Sequence, residues 1–129
     1  MNFRSKFEKS FSEKLTENRI QYEYETVKIK YTIPASIHTY TPDFILQKKK
    51  GGQMIIETKG RLKPADRKKL EMIISQNPDM DIRLVFQNPK IKIRKGSKTM
   101  YSDWANKVGI KWAEKEIPAE WKKECILLS

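Results

Sequence analysis

Apolar residues near the start of the chain recur first with the period of a helix and then with that of a strand. Four of them lie at four-residue steps and form a helical stripe: Phe3, Phe7, Phe11 and Leu15. We expect this helix to begin after a Ser5 cap and to end at Asn18 or Arg19. In residues 20–31 apolar and polar side chains alternate, which predicts a long, bent strand pair. Near Thr26 the alternation shifts by one residue, so a phase change is expected there.

The later part of the chain shows helical and strand patterns in turn. Pro64 opens a helix that runs to about Gln76 and should cover a sheet with its apolar side. Residues 81–87 indicate a buried strand, and residues 101–108 indicate a further helix that ends before Gly109. The chain is therefore predicted to be of the α/β class.

Two regions give less regular patterns. Residues 34–40 show no clear period and contain proline, alanine and serine, which predicts an extended connector between strands.

Trp112 and Trp121 lie among acidic residues and a proline rather than in a basic groove, so they are predicted to seal the core or an interface. Stacking on nucleic-acid bases is the alternative for the two tryptophans.

A β-hairpin is predicted in the middle of the chain. Residues 41–46 and 53–58 indicate strands that flank a solvated turn of lysine and glycine. Pairing centred on that turn sets Asp43 opposite Glu57, with their β-carbons roughly 5 Å apart. Lys59 follows Glu57 by two residues and points to the same face. Two carboxylates and an amine should therefore share one small surface.

The charges on this surface suit a divalent cation. Neighbouring carboxylates repel each other, and a partly buried one is costly unless it is paired or bound to a cation. Magnesium takes oxygen ligands in octahedral geometry at roughly 2.0 to 2.1 Å and keeps several waters. Lys59 would then orient or help to deprotonate an attacking water, or neutralise charge on a phosphate. The alternative is an ordinary hairpin whose exposed Asp43, Glu57 and Lys59 are only solvated.

The residues Pro42-Asp43 followed by Glu57-Thr58-Lys59 resemble the PD-(D/E)xK nuclease signature. The longer run IPASIHTYTPDF at residues 33–44 is similar to the bacteriophage endonuclease I family of Holliday-junction resolvases. The likeness continues through shorter stretches at 66–69, 81–86, 95–97, 109–111 and 117–121, and so covers roughly residues 3–124. It implies a restriction-endonuclease-like core, in which helices flank a mixed central sheet.

The resemblance also implies the members of an active site. Its catalytic residues would be Glu8, Asp43, Glu57 and Lys59, with Glu8 on the first helix. The metal ligands would be Glu8, Asp43, Glu57 and the strand carbonyl of Thr58, and the ion would be Mg²⁺, for which Mn²⁺ substitutes. The alternative for Glu8 is a solvated position on an amphipathic helix.

An intertwined, domain-swapped homodimer is a further implication of the resemblance. Residues 1–33 would form an amino-terminal helix and strands, residues 34–40 a bridge, residues 41–124 the catalytic core and residues 125–129 a tail, all within one nuclease domain. Glu8 of one protomer would then serve the active site of its partner. A monomer with an ordinary loop is the alternative that the residues alone leave open.

The charge of the chain favours a polyanionic partner. Its 129 residues include 27 Lys and Arg against 16 Asp and Glu, a formal charge of +11, which attracts nucleic acid. A membrane is not expected, because the sequence has no long apolar run. Simple solvation is the alternative for each basic residue. The predicted DNA contacts are Arg61, Lys63, Arg67, Lys68, Lys92, Arg94, Lys95 and His38.

The chain has too few cysteine and histidine residues for a zinc site with ligands of these types. Cys125 is the single cysteine and His38 the single histidine, so a zinc site of the Cys and His type within one chain is excluded. The start of the sequence shows no secretory apolar region. We therefore expect a reducing cytoplasm, that of the bacterial host if a phage encodes the protein.

These observations together predict a Mg²⁺-dependent endodeoxyribonuclease that resolves four-way (Holliday) junctions and other branched DNA in recombination. The alternatives are a related nuclease that cuts linear or single-stranded DNA, and a protein that binds junctions without cutting them. Two features depart from the family pattern: the hairpin after Leu46 is longer and more basic, and the basic carboxy-terminal tail is short or missing.

Overall fold

A five-stranded mixed sheet forms the centre of the protein, and a separate two-stranded sheet lies beside it. The computed structural model describes residues 2–33 and 36–128. The helices are α1 (Lys6–Glu17), α2 (Pro64–Gln76), α3 (Tyr101–Val108) and α4 (Ala119–Glu124). The strands are β1 (Tyr22–Tyr24), β2 (Ile29–Ile33), β3 (Ser36–Tyr40), β4 (Phe44–Gln47), β5 (Gln53–Lys59), β6 (Asp81–Phe86) and β7 (Lys111–Glu114). The mixed α/β architecture agrees with the prediction.

The order of strands in the large sheet is β1-β4-β5-β6-β7. Strands β1 and β4 pair in antiparallel fashion, as do β4 and β5, whereas β5, β6 and β7 run parallel. Parallel neighbours need crossover connections, which α2 and α3 supply. No helix in the described part of the chain is long and apolar enough to cross a membrane.

The hairpin of β4 and β5 has the predicted register. Phe44 pairs with Ile56 and Leu46 with Met54, so the ladder continued by one residue sets Asp43 opposite Glu57. Strand β4 begins at Phe44 rather than at Thr41. Pro42 has no N–H to donate to a ladder, and the Asp43 carbonyl accepts a hydrogen bond from the Glu25 N–H at 3.1 Å. Asp43 therefore lies at the mouth of the hairpin, where the pairing ends.

The predicted phase change near Thr26 is confirmed: at this point the chain leaves the large sheet and enters the small one. Strand β1 pairs with β4 in the large sheet, and β2 pairs with β3 in the small one. Between them Glu25 adopts a left-handed backbone conformation with φ of 52°, which is uncommon for a residue with a side chain. The bend is therefore sharper than a single curved strand would allow.

The segment predicted as an extended connector, residues 34–40, is extended where the structure describes it, but it is itself a strand rather than a connector between strands. Ser36–Tyr40 forms β3, which is antiparallel to β2, while residues 34 and 35 lie outside the described ranges. Residues 36–39 are exposed on both faces of the strand, so no apolar alternation marks β3 in the sequence. The Gln76 amide on α2 holds the small sheet through two 2.6 Å hydrogen bonds to the backbone of Thr32.

Helices cover both faces of the large sheet because its residues alternate between two apolar layers. On one face, Phe11 and Leu15 of α1 and Trp121 of α4 pack against Phe44, Leu46, Met54 and Ile56. On the other, α2, α3 and the small sheet pack against Ile45, Ile55, Ile82, Leu84 and Phe86. The predicted stripe of α1 is buried at Phe11 and Leu15, while Phe7 is partly buried and Phe3 lies before the helix. Helix α2 buries its apolar side as predicted, and Trp121 is buried. Trp112 is only partly buried.

Candidate metal-dependent active site

Two buried carboxylates meet at the mouth of the β4–β5 hairpin. Asp43 is 8% exposed and Glu57 is 9% exposed. The Asp43 N–H donates to Glu57 Oε1 at 3.3 Å, while Asp43 Oδ2 accepts hydrogen bonds from the Thr58 N–H at 2.9 Å and the Thr58 hydroxyl at 2.7 Å. The alternative of an exposed, merely solvated hairpin is therefore wrong, because both acids are removed from water and held in fixed orientations.

Lys59 brings a positive charge to the same site. Its Nζ lies 3.8 Å from Glu57 Oε2 and 3.7 Å from Asp66 Oδ1. Asp66 also accepts the Lys63 N–H at 3.0 Å and thereby caps the start of α2. Because α2 begins only a few residues after β5, the helix cap and the active-site amine share one carboxylate. No sequence signal distinguished Asp66 from an ordinary first-turn acid.

The charge on Glu57 is unfavourable in the absence of a cation. Burial and the adjacent negative charge of Asp43 raise the pKa of Glu57 from about 4.5 to about 8, although Lys59 opposes the shift. One ammonium does not offset two buried carboxylates. A divalent ion would, and an all-oxygen donor set is the kind that Mg²⁺ prefers.

Glu8 reaches this site from the first helix. The Ser5 hydroxyl caps α1 by accepting the Glu8 N–H at 3.0 Å, and the Tyr24 hydroxyl donates a hydrogen bond to the Glu8 carboxylate. One carboxylate oxygen from each of Glu8, Glu25 and Asp43 lies within 4.8 Å of the other two. All three belong to the same chain, so a single protomer already brings Glu8 to its own Asp43.

Sequence reasoning missed Glu25 as a member of the acidic cluster. Its carboxylate makes an ion pair with Arg4, and its N–H is bonded to the Asp43 carbonyl. The left-handed backbone at Glu25 turns the chain toward Asp43 and α1, and that conformation has no signature in the sequence. The cluster includes Asp43 but not Glu57. Asp43 therefore belongs both to this cluster and to the buried pair with Glu57.

The buried carboxylate pair and Glu8 line one polar cavity of about 350 Å³. Its walls carry the acids Glu8, Asp43 and Glu57 and, among the basic residues, Lys59 and Lys69. Such a cavity can hold a cation between the acids and accept an anionic backbone against the ammonium groups.

A second, basic cavity of about 520 Å³ is formed by the start of α2 and the loop that precedes α3. It brings together five of the predicted DNA contacts, namely Arg61, Lys63, Lys92, Arg94 and Lys95. The loop is held by the Tyr101 N–H, which donates to the Ile91 carbonyl at 2.9 Å. The five residues therefore share one surface, as a phosphate-binding groove requires.

The other three predicted contacts do not line this groove, although Arg67 contacts its wall through a 3.5 Å hydrogen bond to the Ile93 carbonyl. Arg67 donates through one guanidinium nitrogen to the Leu62 carbonyl at 3.0 Å, so part of its side chain supports the α2 turn. Lys68 is exposed on α2. His38 lies on β3, where its ring stacks on Tyr31 with centroids 5.4 Å apart and its Nε2 is 2.8 Å from the Ser36 hydroxyl.

An acidic centre beside a basic groove, on an α/β core, is the kind of site that phosphodiester chemistry requires. The family described as phage endonuclease I matches residues 1–127, and the chain belongs to that family. The chain is 48% identical over 122 residues to endonuclease I of Escherichia phage T7. The aligned residues cover 95% of this chain and 79% of that relative. The chain is 45% identical over 122 residues to endodeoxyribonuclease 1 of Enterobacteria phage T3, and the aligned residues cover 95% of this chain and 78% of that relative.

Proposed function

We propose that the protein is a Mg²⁺-dependent endodeoxyribonuclease that resolves four-way junctions and other branched DNA. The names of its relatives support a DNA endonuclease. The observation that carries the proposal is the buried pair of Asp43 and Glu57 beside Lys59, whose Nζ is 3.8 Å from Glu57 Oε2. A hydrolytic centre of the PD-(D/E)xK type needs these groups together.

The residues present fit a hard divalent cation. Asp43 and Glu57 are both buried, and burial together with the neighbouring Asp43 charge raises the pKa of Glu57, so the pair needs a cation to be fully ionised. Asp43, Glu57, Glu8 and the Thr58 carbonyl would hold the ion, and Glu25 lies close enough to join them. When bound, Mg²⁺, or Mn²⁺ in its place, supplies Lewis-acid polarisation of the phosphate and a more acidic water.

The protein groups have separate tasks in this proposal. Thr58 fixes Asp43 through two hydrogen bonds to one carboxylate oxygen, which leaves the other oxygen of Asp43 for ligation. Lys59 orients the attacking water, or offsets the charge that develops on the phosphate. Asp66 and Glu57 hold the Lys59 ammonium between them, at 3.7 and 3.8 Å.

Shape rather than base sequence would select the substrate. The basic groove offers lysine and arginine side chains, and such charges bind phosphates without reading bases. Branched DNA presents phosphates from more than one arm to such a surface, which a linear duplex does not.

We further propose that the working form is an intertwined homodimer in the cytoplasm of the bacterial host. Exchange of residues 1–33 between protomers would keep every contact of Glu8 with Asp43, but would make it between two chains, with 34–40 as the bridge. Two sites related by a two-fold axis suit a junction that must be cut in two strands.

A comparison of three substrates tests the proposal. An immobile four-way junction, a linear duplex of matched sequence and a single strand are incubated with the protein in Mg²⁺ and in EDTA. We expect paired, symmetry-related nicks in the junction, slow cutting of the other substrates, and no cutting in EDTA. Equal cutting of the linear duplex would instead support a general nuclease, and a shifted junction band without cleavage would support a binding protein.

A further inference from the structure

One hydroxyl beside the active-site cavity lacks a hydrogen-bond partner. Tyr40 is the last residue of β3 and is 1% exposed. Its ring packs in the apolar layer with Ile45, Ile55 and Ile73. Within the described ranges, its hydroxyl makes no hydrogen bond to any other group. Most buried polar groups are paired, so an unpaired phenol in a well-packed core needs an explanation.

The position of the hydroxyl supplies that explanation. Tyr40 lines the same cavity as Asp43, Glu57 and Lys59. The ordinary pKa of a tyrosine hydroxyl is about 10, well above neutral pH. The hydroxyl therefore keeps its proton and is available as a donor. Tyr40 and Glu57 line the same cavity, yet the Tyr40 hydroxyl makes no hydrogen bond of normal geometry within the described ranges.

Glu57 has room for one more donor. Its Oε1 accepts the Asp43 N–H, and its Oε2 lies 3.8 Å from the Lys59 ammonium. A carboxylate has about four lone-pair positions, so these two contacts leave acceptor capacity on both oxygens. A carboxylate that ligates a cation is anionic, and hydrogen bonds to anionic oxygen are shorter and stronger than those to neutral groups.

We propose that Tyr40 is a positioning residue of the metal centre, whose hydroxyl donates to the Glu57 carboxylate when a divalent cation is bound and holds Glu57 in its ligating orientation. This inference rests on the proposed function, because it assigns Tyr40 a role toward the cation that Asp43 and Glu57 would hold. It also gives β3, and so the small sheet, a direct connection to the active site.

Tyr40→Phe removes the hydroxyl and keeps the ring, and Tyr31→Phe is its matched control. Lys69 Nζ lies over both rings, 5.6 Å from the centroid of Tyr40 and 5.9 Å from that of Tyr31. Both tyrosines are buried in the same apolar layer. The cavity with the acidic residues is lined by Tyr40 and not by Tyr31.

Binding of Mn²⁺ to the whole protein is measured by the loss of the free ion's EPR signal. We expect Tyr40→Phe to weaken Mn²⁺ binding by roughly 10- to 100-fold, the usual effect of removing a group that orients a metal ligand. The Mg²⁺ concentration for half-maximal cleavage should rise in parallel. Junction binding in EDTA and the melting temperature of the ion-free protein should not fall. Tyr31→Phe should leave Mn²⁺ affinity unchanged.

Wild-type Mn²⁺ affinity in Tyr40→Phe would overturn the inference while leaving the proposed function intact. An equal loss in Tyr40→Phe and Tyr31→Phe would also overturn it, because the effect would then belong to the ring layer and not to the Tyr40 hydroxyl. A wild-type protein that binds no Mn²⁺ and cuts no junction would overturn the proposed function as well.

Discussion

The protonation of Glu57 depends strongly on its surroundings in the site. Its side chain is buried and faces Asp43, and Lys59 offsets part of the charge. These effects raise its pKa to about 8, so the folded, ion-free protein holds a proton there near neutral pH. A bound cation would have to displace that proton, and binding should therefore strengthen as the pH rises.

The stability of the ion-free protein should depend on pH through Glu57. Between pH 4.5 and about 8 the unfolded chain has lost this proton while the folded chain keeps it, so stability falls as the pH rises through this window. The slope should reach about 1.4 kcal/mol per pH unit at most. Urea unfolding in EDTA at several pH values measures it.

Glu57→Gln is the control for this pH dependence, because the amide does not titrate. The variant should show a flatter profile between pH 5 and 8, and saturating Mg²⁺ should flatten the wild-type profile in the same way. If the wild type and Glu57→Gln had the same slope in EDTA, the raised pKa would not control stability.

The juxtaposition of Asp43, Glu57 and Lys59 could be predicted at the residue scale. The side-chain period of a strand and the position of one turn determine which residues face each other, and both are visible in the sequence. Glu25 and Tyr40 could not be found in this way. Their positions depend on a left-handed bend and on the packing of a small sheet, which are tertiary features.

At the scale of elements, the longer helices and the β4–β5 hairpin were predictable, whereas α4, β7 and β3 were not. The extents of α1, α2 and α3 agree with the periodic pattern and its caps, because each has a clear apolar stripe. Helix α4 has six residues and β7 has four, too few for a period to emerge. Strand β3 is exposed on both faces and so has no alternation.

A buried ion-pair network fastens α4 to the sheet. Arg83 on β6 is 1% exposed, and its guanidinium contacts Asp81 at 2.8 Å and Glu124 at 2.7 Å. The same group lies over the Trp121 ring, 5.1 Å from its centroid. The pKa of Glu124 is lowered, mainly by its hydrogen bond from Arg83. Loss of Arg83 would leave Glu124 without this partner, while Asp81 would keep its ion pair with Lys48 at 3.0 Å.

Arg83→Ala should therefore be strongly destabilising. We expect a loss of about 2 to 4 kcal/mol in the free energy of unfolding, below the upper end for a fully buried pair because Asp81 and Glu124 are partly exposed. Glu17→Ala is the control, since it breaks the exposed Lys14–Glu17 pair at 3.5 Å and should cost about 0 to 1 kcal/mol. Similar urea midpoints for the two variants would show that the network does not hold α4.

At the scale of the whole molecule, the charge distribution separates binding from chemistry. The net charge of +11 reflects a basic surface, while the acids Asp43 and Glu57 are confined to one cavity. The α/β class followed from the pattern of the chain, whereas the mixed sheet was an implication of the family resemblance. Assembly could not be read from periodicity, because it depends on which chain supplies residues 1–33.

Affinity for a four-way junction should depend steeply on salt. If ~6 to 10 phosphates are contacted, affinity falls by roughly 10³ to 10⁵ between 50 and 200 mM salt. Replacing Lys92 and Arg94 together by Gln should reduce the slope of log affinity against log salt by about 1 for each phosphate that is no longer neutralised. Gel-shift titrations in EDTA measure both quantities.

Lys14→Gln provides the control for the basic groove. The Lys14 ammonium is already near two carboxylates, 3.5 Å from Glu17 and 3.9 Å from Glu116, so its loss should leave the salt slope unchanged. A flat salt response in the wild type, or the same slope in all three proteins, would argue against phosphate binding in this groove.

The central claim is that Asp43, Glu57 and Lys59 form one metal-dependent hydrolytic centre. Its most direct test is a single-turnover reaction in which a four-way junction is first bound to excess protein in EDTA and cleavage is then started with excess Mg²⁺. We predict that the wild type cuts two opposed strands, while Asp43→Asn binds the junction with equal affinity and does not cut it. Cleavage at the wild-type rate by Asp43→Asn, or by the wild type before Mg²⁺ is added, would contradict the account.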